Sequence, residues 1–236
     1  MSGSSVFIGE FVGTGLLLLL GVGVCAAVTL PGSKARGAGW VAITLGWGMG
    51  VLAGAYAVLP LSGAHLNPAV TLGISVSTGE WSRFPLYVGA QLLGAFTGAV
   101  LAFIVYFGQF RAYRGPTLAI FATVPEIRRP AQNLATETIA TFTLVFVVLA
   151  TGRSEALALS GTGVLMVALL VVGIGLSLGG PTGYAINPAR DLGARLAHAV
   201  LPLPSRSPSD WPYAWIPIAG PSLGGLLAGY TDTLLH

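Results

Sequence analysis

The sequence predicts an all-α membrane protein with six transmembrane helices plus two re-entrant half-helices, arranged as an inverted 3+3 repeat. Three observations support this fold class. The 236-residue chain is 54% hydrophobic and only 8% charged, whereas an average soluble domain carries about 25% charged residues. Most of the charged residues fall between long apolar stretches, and an Asn-Pro-Ala turn interrupts each of two further apolar segments.

Six apolar stretches are long enough to cross a bilayer, which takes about 20 residues of α-helix. We predict spans at residues 6–29, 38–60, 84–108, 133–152, 159–179 and 212–234. The first stretch lacks a preceding positive region and is too long for a signal peptide, so we interpret it as a transmembrane helix. Long loops are expected at 109–132 and 200–211, and the whole of 1–236 is expected to form one transmembrane domain.

Two shorter apolar segments, 62–78 and 181–199, each reach an Asn-Pro pair a few residues after they begin. A helix broken at membrane depth is tolerated only where it lines a cavity or is buried in protein. We therefore expect both segments to form half-helices that do not cross the bilayer.

An internal duplication relates the two halves, with repeats at about 6–108 and 133–234. Glu10 and Glu137 are each followed four residues later by Thr, and a Gly stands four residues before each turn Asn. Three spans per repeat is an odd number, so the second repeat enters the membrane from the opposite side. In such inverted repeats the functional site lies near the midplane, where the broken helices meet.

The two turns are Asn67-Pro68-Ala69 and Asn187-Pro188-Ala189. Asn is a favoured N-cap and Pro a favoured first helical residue, so each turn is expected to start a short helix. A helix N-terminus carries roughly +0.5 of an elementary charge, and two facing ends disfavour cations and protons but not neutral solutes. The Asn amides are expected to donate to water oxygen in a pore and so to interrupt a proton wire.

Backbone carbonyls upstream of each turn Asn are not used by a helix and are expected to form a ladder of acceptors along the pore. These pore-lining carbonyls belong to Gly63, Ala64, His65, Gly183, Tyr184 and Ala185.

Two carboxylates, Glu10 and Glu137, lie inside predicted spans, where an ionisable residue marks a functional site by default. They could relay protons or accept hydrogen bonds from the neighbouring broken loops, and their duplication favours the second role. His65 is interpreted as a pore-wall residue that fixes its turn. Neither a metal site nor a cofactor is expected, because Cys25 is the single cysteine and no second His or carboxylate lies near His65.

The chain resembles the major intrinsic protein family, the aquaporins and glycerol facilitators, over essentially its whole length. The matching residues are Glu10 with Thr14, residues 62–71 around the first turn, Gln91, Glu137 with Thr141, residues 183–191 around the second turn, and Gly220-Pro221. The resemblance implies the aquaporin fold, with six tilted helices and two half-helices that meet at the centre. It also implies a homotetramer with one pore per subunit, and it assigns Glu10 and Glu137 to holding the turns.

By resemblance, a selectivity filter near the extracellular mouth consists of Trp47, Gly175, Tyr184 and Arg190. Water-selective members place His where Gly175 stands, so Gly favours a wider, amphipathic slot in which the aromatic rings meet CH groups and Arg190 donates to hydroxyls. Further markers of the glycerol-conducting branch are Asp191, Arg195, Pro217 and Ile218. Tyr184 departs from the Phe that is usual in that branch, and the loop 200–211 is shorter than usual.

We expect a passive channel, not an enzyme, for glycerol and related polyols, with some water permeation and exclusion of ions and protons. A water-selective channel, or one for urea, undissociated lactic acid or metalloid hydroxides, remains an alternative. An ion-coupled transporter is less favoured because Glu10 and Glu137, its only candidate sites, are assigned to the loops. An intramembrane hydrolase would need an orienting acid beside His65. The absence of a Lys/Arg cluster argues against a nucleic-acid partner.

The resemblance places the protein in the plasma or inner membrane with cytoplasmic termini. That orientation puts Lys34, Arg36, Arg111, Arg114, Arg128, Arg129 and Arg206 outside, against Arg83 and Arg153 inside. The positive-inside rule favours the reverse. We keep the family orientation because the loop 109–132 can fold over the vestibule instead of acting as a short topogenic loop. The tryptophans near span ends, Trp40, Trp81, Trp211 and Trp215, are interpreted as interfacial anchors.

Overall fold

The computed structural model of the chain describes residues 1–204 and 207–236, and within these ranges it contains helices and no strand. In chain order the α-helices are α1 (Gly3–Thr29), α2 (Gly39–Ser62), α3 (Pro68–Thr78), α4 (Phe84–Val105), α5 (Phe107–Ala112), α6 (Leu118–Phe121), α7 (Pro130–Gly152), α8 (Glu155–Ser160), α9 (Gly163–Leu178), α10 (Pro188–Val200) and α11 (Ile216–Leu235). A 3₁₀ turn spans Trp211–Tyr213. Each predicted span corresponds to one of the long helices, and α3 and α10 are the half-helices.

Four of the described helices, α1, α2, α4 and α7, are long and apolar enough by themselves to count as membrane spans. Helix α9 has 16 residues, about 24 Å of helix, so it is shorter than the bilayer core. Helix α11 has 20 residues, but its glycines, prolines and Asp232 make it less apolar. The last two spans therefore depend on packing against the rest of the bundle more than the first four do.

The loop predicted at 109–132 is not a single irregular loop, and in this respect the prediction is wrong. It contains the end of α5 and the four-residue helix α6, which packs against α1 and α10. Phe110, Ile120 and Phe121 are buried there, so burial of apolar side chains outweighs the Pro and Gly residues that suggested irregular structure. Of the cations counted for orientation, Arg206 lies outside the described residues.

Each half-helix packs against the opposite repeat. Helix α3 lies on α11, and α10 lies on α4, while α1 packs between α2 and α4 and α7 packs on α11. Glycine permits the closest approach: a Cβ on Gly225 would lie 2.4 Å from the Ala69 carbonyl oxygen. Small residues at such positions are typical of membrane helix interfaces.

Candidate pore and selectivity filter

The two Asn-Pro-Ala turns meet and complete each other. The Asn67 side-chain amide donates to the Ile186 carbonyl at 2.8 Å, and the Asn187 amide donates to the Leu66 carbonyl at 2.8 Å. An amide NH₂ carries two donors, and both Asn side chains line the cavity. The second N–H of each is therefore available to a molecule in the cavity.

Each Asn also caps its half-helix. The Asn67 side-chain oxygen accepts from the Ala69 N–H at 2.8 Å, and that of Asn187 accepts from Ala189 at 3.0 Å and Arg190 at 3.1 Å. Pro68 and Pro188 occupy the first helical positions, where the missing N–H costs nothing. The local sequence thus fixes where both half-helices begin, and it directs their positive ends toward the centre of the protein.

Backbone strain accompanies both turns at matching positions. Ala64 and Leu66 have φ of 54° and 53°, and Tyr184 and Ile186 have φ of 39° and 43°. Left-handed backbone at a non-Gly residue costs about 1–3 kcal/mol and persists only where the surroundings hold it. The surrounding contacts must therefore stabilise these turns.

Glu10 supplies this support in the first turn. Its buried carboxylate accepts from the Ser62 hydroxyl at 2.6 Å, the His65 N–H at 3.0 Å, the Leu66 N–H at 2.7 Å and the Gln91 side chain at 2.7 Å. Hydrogen bonds to a charged group are stronger than neutral ones. One carboxylate therefore fixes three residues of the strained segment and ties it to α1 and α4.

Glu137 repeats the arrangement in the second turn. It accepts from the Thr182 hydroxyl at 2.6 Å and from the backbone N–H groups of Ala185 at 3.0 Å and Ile186 at 2.9 Å. No side chain plays the part that Gln91 plays in the first repeat among the described contacts of Glu137. This geometry is that of a buried acceptor for loop N–H groups, the role that the duplication favoured over a proton relay.

Replacing Gln91 therefore tests how much one donor contributes to the hydrogen bonds around Glu10. Replacing Gln91 by Leu removes one donor from Glu10 and one from the Thr71 hydroxyl. We expect a loss of about 1.5–3 kcal/mol of stability, since a hydrogen bond to a charged group is of that size. A lower apparent melting temperature of the detergent-solubilised protein is the measurement. The exposed Gln132→Leu variant is the control, and equal melting temperatures for the two would contradict the expectation.

His65 lies on the cavity wall and is held on two sides. Its Nδ1 is 3.2 Å from the Thr71 hydroxyl, and its ring stacks on Tyr87 at 4.3 Å. The Tyr87 hydroxyl in turn donates to the Ser62 carbonyl at 2.5 Å. No group of three or more His, Cys, Asp or Glu side chains able to hold a metal occurs among residues 1–204 and 207–236.

A cavity of about 370 Å³ runs along both turns. Trp47, Tyr184 and Arg190 line it at one end, and Thr151, Leu157 and Gly161 line it at the other. Five of the six predicted pore-lining carbonyl positions border this cavity. The sixth, Gly183, does not border it, and a Cβ on Gly183 would lie 3.4 Å from the Thr123 methyl.

The predicted filter residues come together, but Gly175 does not line the cavity. A Cβ on Gly175 would lie 2.7 Å from the Thr44 methyl and 2.8 Å from the Tyr184 Cζ atom. The Tyr184 ring therefore occupies the space that a side chain at position 175 would fill. Gly175 therefore contributes to the filter by leaving this space to Tyr184, and it does not itself form a wall of the slot.

Arg190 lies against one of the two aromatic side chains of the filter. Its guanidinium lies over the Trp47 ring at 4.0 Å from the centroid and donates to the Phe121 carbonyl at 3.2 Å. The Trp47 indole N–H and the Tyr184 hydroxyl are both buried, so these two side chains present aromatic surface to the cavity. The filter thus combines aromatic surface with the Arg190 guanidinium as its hydrogen-bond donor.

An ion pair behind the filter joins two of the branch markers. Arg195 donates to Asp191 at 2.7 and 3.0 Å and to the Thr123 and Ser209 carbonyls at 3.0 and 2.8 Å. Asp191 also accepts from the Thr123 N–H at 2.8 Å. This pair fixes the segment after α6 beside α10, and Phe121, the last residue of α6, supplies the carbonyl that holds Arg190.

The other two branch markers, Pro217 and Ile218, lie in the first turn of α11 and do not border the cavity. Ser62 and Thr182 had no predicted role, yet Ser62 donates to Glu10 and Thr182 donates to Glu137. A signal for them existed, because each stands five residues before its turn Asn. Trp40 was interpreted as a membrane anchor, but its indole donates to the Gly175 carbonyl at 2.9 Å. No local pattern distinguishes it from Trp81 or Trp215.

Comparison with known proteins identifies the family. The Major intrinsic protein family model matches residues 2–231. The chain is 49% identical to the probable glycerol uptake facilitator protein of Thermotoga maritima, over 94% of this chain and 96% of that one. It is 52% identical to glycerol uptake facilitator protein 3 of Lactiplantibacillus plantarum, over 97% and 95%.

A solved structure, the aquaglyceroporin from Plasmodium falciparum, superposes with a TM-score of 0.84 at 32% identity and covers 99% of this chain and 97% of its own. This match confirms the predicted all-helical membrane fold with six spans and two half-helices. Together with the sequence matches it confirms the predicted resemblance to the glycerol-conducting branch. The chain is a multi-pass membrane protein that belongs to the major intrinsic protein family.

Proposed function

We propose that this protein is a passive cell-membrane channel for glycerol and related small uncharged polyols. The observation that carries the proposal is the filter, where Arg190 offers hydrogen bonds beside the aromatic side chains of Trp47 and Tyr184, in a cavity that the residues of both turns also line. A polyol presents hydroxyls along one edge and CH groups along the other. In the filter, hydrogen bonds to the protein can replace those that water makes to the polyol hydroxyls, while the CH groups cover the aromatic faces.

Charge is rejected by the same elements. The Arg190 guanidinium and the N-termini of α3 and α10 are positive, and they act in a narrow, water-poor passage where electrostatic effects are stronger than in bulk water. Water is expected to permeate, since it fits wherever glycerol does. Its oxygen accepts from Asn67 and Asn187, which interrupts proton transfer along a chain of water molecules.

The direct test is stopped-flow light scattering on proteoliposomes. A glycerol gradient should produce rapid shrinkage followed by reswelling that is much faster than in protein-free vesicles, with no change in internal pH under a proton gradient. A solute panel with urea and lactic acid below its pKa separates the alternatives of the same fold. A water response without glycerol reswelling would reject glycerol as the solute.

The active form is proposed to be a homotetramer with one pore in each subunit. Its support is the family membership together with apolar helix faces that a single chain leaves exposed. Side chains such as Leu20, Met49 and Val105 are exposed on α1, α2 and α4. Light scattering coupled to size exclusion in a mild detergent measures the mass of the protein component. A protein mass of one chain would reject the tetramer.

Both termini are proposed to be cytoplasmic. The cation-rich segment 109–132 supports this orientation, because it folds onto the protein through α6 and through an ion pair between Arg128 and Asp210. Cations held in this way do not act as a short topogenic loop. A reporter that is active on only one side of the membrane, fused to the C-terminus, tests the assignment, and activity outside the cytoplasm would reverse it.

A further inference from the structure

Tyr184 stands in a slot between α2 and α9 that two glycines keep open. Gly175 and Gly179 are one helical turn apart, and a Cβ on Gly179 would lie 2.5 Å from the Tyr184 Cδ1 atom. Thr44 borders the slot from α2, close to Gly175. Tyr184 borders the cavity but is only 4% exposed, and its hydroxyl is buried without a hydrogen-bond partner.

Trp40 closes this slot from the second residue of α2. Its ring meets Tyr184 edge to face, with centroids 5.6 Å apart and planes at 82°, a favoured aromatic geometry. Its indole N–H donates to the Gly175 carbonyl at 2.9 Å. Gly175 lies in the last turn of α9, where carbonyls lack helical partners, so the same side chain caps α9 and touches the ring that α9 supports.

Tyr184 has a strained backbone, so its ring depends on surrounding contacts such as the one with Trp40. With φ of 39°, Tyr184 adopts a conformation that a bulky residue keeps only when its surroundings leave no alternative. Glu137 holds the next two N–H groups, but neither contact reaches the phenol ring. The ring itself is positioned by the glycine slot and by the edge of Trp40.

We propose that Trp40 is a positioning residue of the selectivity filter: it fixes the Tyr184 ring in the slot between Gly175 and Gly179 and so sets how far this aromatic wall reaches into the passage. This inference rests on the proposed glycerol conduction. It gives Trp40 a role in choosing the solute, which an interfacial anchor would not have.

The test measures the ratio of glycerol to water permeability in proteoliposomes of wild type, Trp40→Phe and Trp81→Phe. Trp40→Phe keeps an aromatic ring but loses the N–H that donates to the Gly175 carbonyl, and it should lower the ratio about fivefold, the effect of one lost hydrogen bond. Trp81 is 47% exposed and has no described hydrogen bond from its indole, so Trp81→Phe should leave the ratio unchanged. The ratio is independent of how much channel is reconstituted, so a loss of protein alone does not move it.

A second comparison shows whether Trp40 acts through Tyr184. In a Tyr184→Ala background, Trp40→Phe should change the ratio by less than about twofold, since the group that it positions is gone. Gly179→Ala, which disturbs the ring from the other side, should lower the ratio as Trp40→Phe does. The Gly179→Ala variant tests the proposal even if the Tyr184→Ala protein does not fold. Its control is Gly173→Ala, because a Cβ on Gly173 would meet nothing within 4 Å.

The proposal is overturned if Trp40→Phe has the wild-type ratio, if it has the same effect with and without Tyr184, or if Gly179→Ala leaves the ratio unchanged. A wild-type protein that passes water but no glycerol would instead reject the proposed function. The two failures are therefore distinguishable.

Discussion

Gly175→Ala is expected to lower glycerol permeability by about tenfold or more, while water permeability falls less. The added methyl would lie 2.7 Å from the Thr44 side chain and 2.8 Å from the Tyr184 ring, closer than real Cβ contacts. Overpacking of this kind costs about 1–3 kcal/mol in a rigid site, and the ring can relieve it only by moving into the passage. Gly175→His, with a larger side chain, should reduce glycerol flux further and again more than water flux.

The control for this prediction lies half a turn away on the same helix. A Cβ on Gly173 would meet nothing within 4 Å, so Gly173→Ala changes helix propensity to the same extent without touching the filter. Stopped-flow rates for both solutes in the three variants decide the matter. An equal loss of glycerol and water permeability in Gly175→Ala would argue against placing the filter at Tyr184.

Glu137→Gln is expected to destabilise the protein strongly and to abolish conduction. The carboxylate accepts three hydrogen bonds from Thr182, Ala185 and Ile186, two of them on one oxygen and one on the other. An amide NH₂ in place of either oxygen points a donor at a donor, so at least one buried N–H or O–H loses its partner. A buried donor left without a partner costs about 1–3 kcal/mol, and the remaining hydrogen bonds lose the strength that the carboxylate charge gives them.

Thermal unfolding of the detergent-solubilised variant measures the loss, and proteoliposome swelling measures conduction. Glu80→Gln is the matched control, because Glu80 is exposed in the turn after α3 and such changes stay within about 0.5 kcal/mol. Glu137→Gln should also exceed Gln91→Leu, which removes one donor and leaves the Glu10 charge in place. A Glu137→Gln channel of wild-type stability and conductance would show that the carboxylate does not support the turn.

Much of the architecture could be predicted because it depends on local sequence. Span lengths follow from apolar run lengths, and the starts of α3 and α10 follow from Asn67-Pro68 and Asn187-Pro188, whose capping chemistry is local. The pairing of Glu10 and Glu137 with the turns was predictable too, because duplication gave each of them an independent second example.

The filter was predicted less well, because its geometry depends on contacts between distant segments. Trp40 and Gly175 are 135 residues apart in sequence, and nothing local to either residue shows that one caps the helix of the other. The position of Gly175 behind Tyr184 likewise follows from how α2, α9 and the second turn pack together. Helix α6 was missed because four residues are too few to show a helical period.

The exchange of hydrogen bonds between the two turns also constrains how the protein is made. The carbonyl that pairs with Asn67 belongs to Ile186, 119 residues further along the chain. When the ribosome has synthesised only the first repeat, that partner does not yet exist, and an unpaired amide cannot rest in lipid without a cost of several kcal/mol. The first half-helix is therefore expected to stay hydrated during biogenesis and to reach its final position only when the second repeat is inserted. Completion of the pore is then among the last events of membrane assembly.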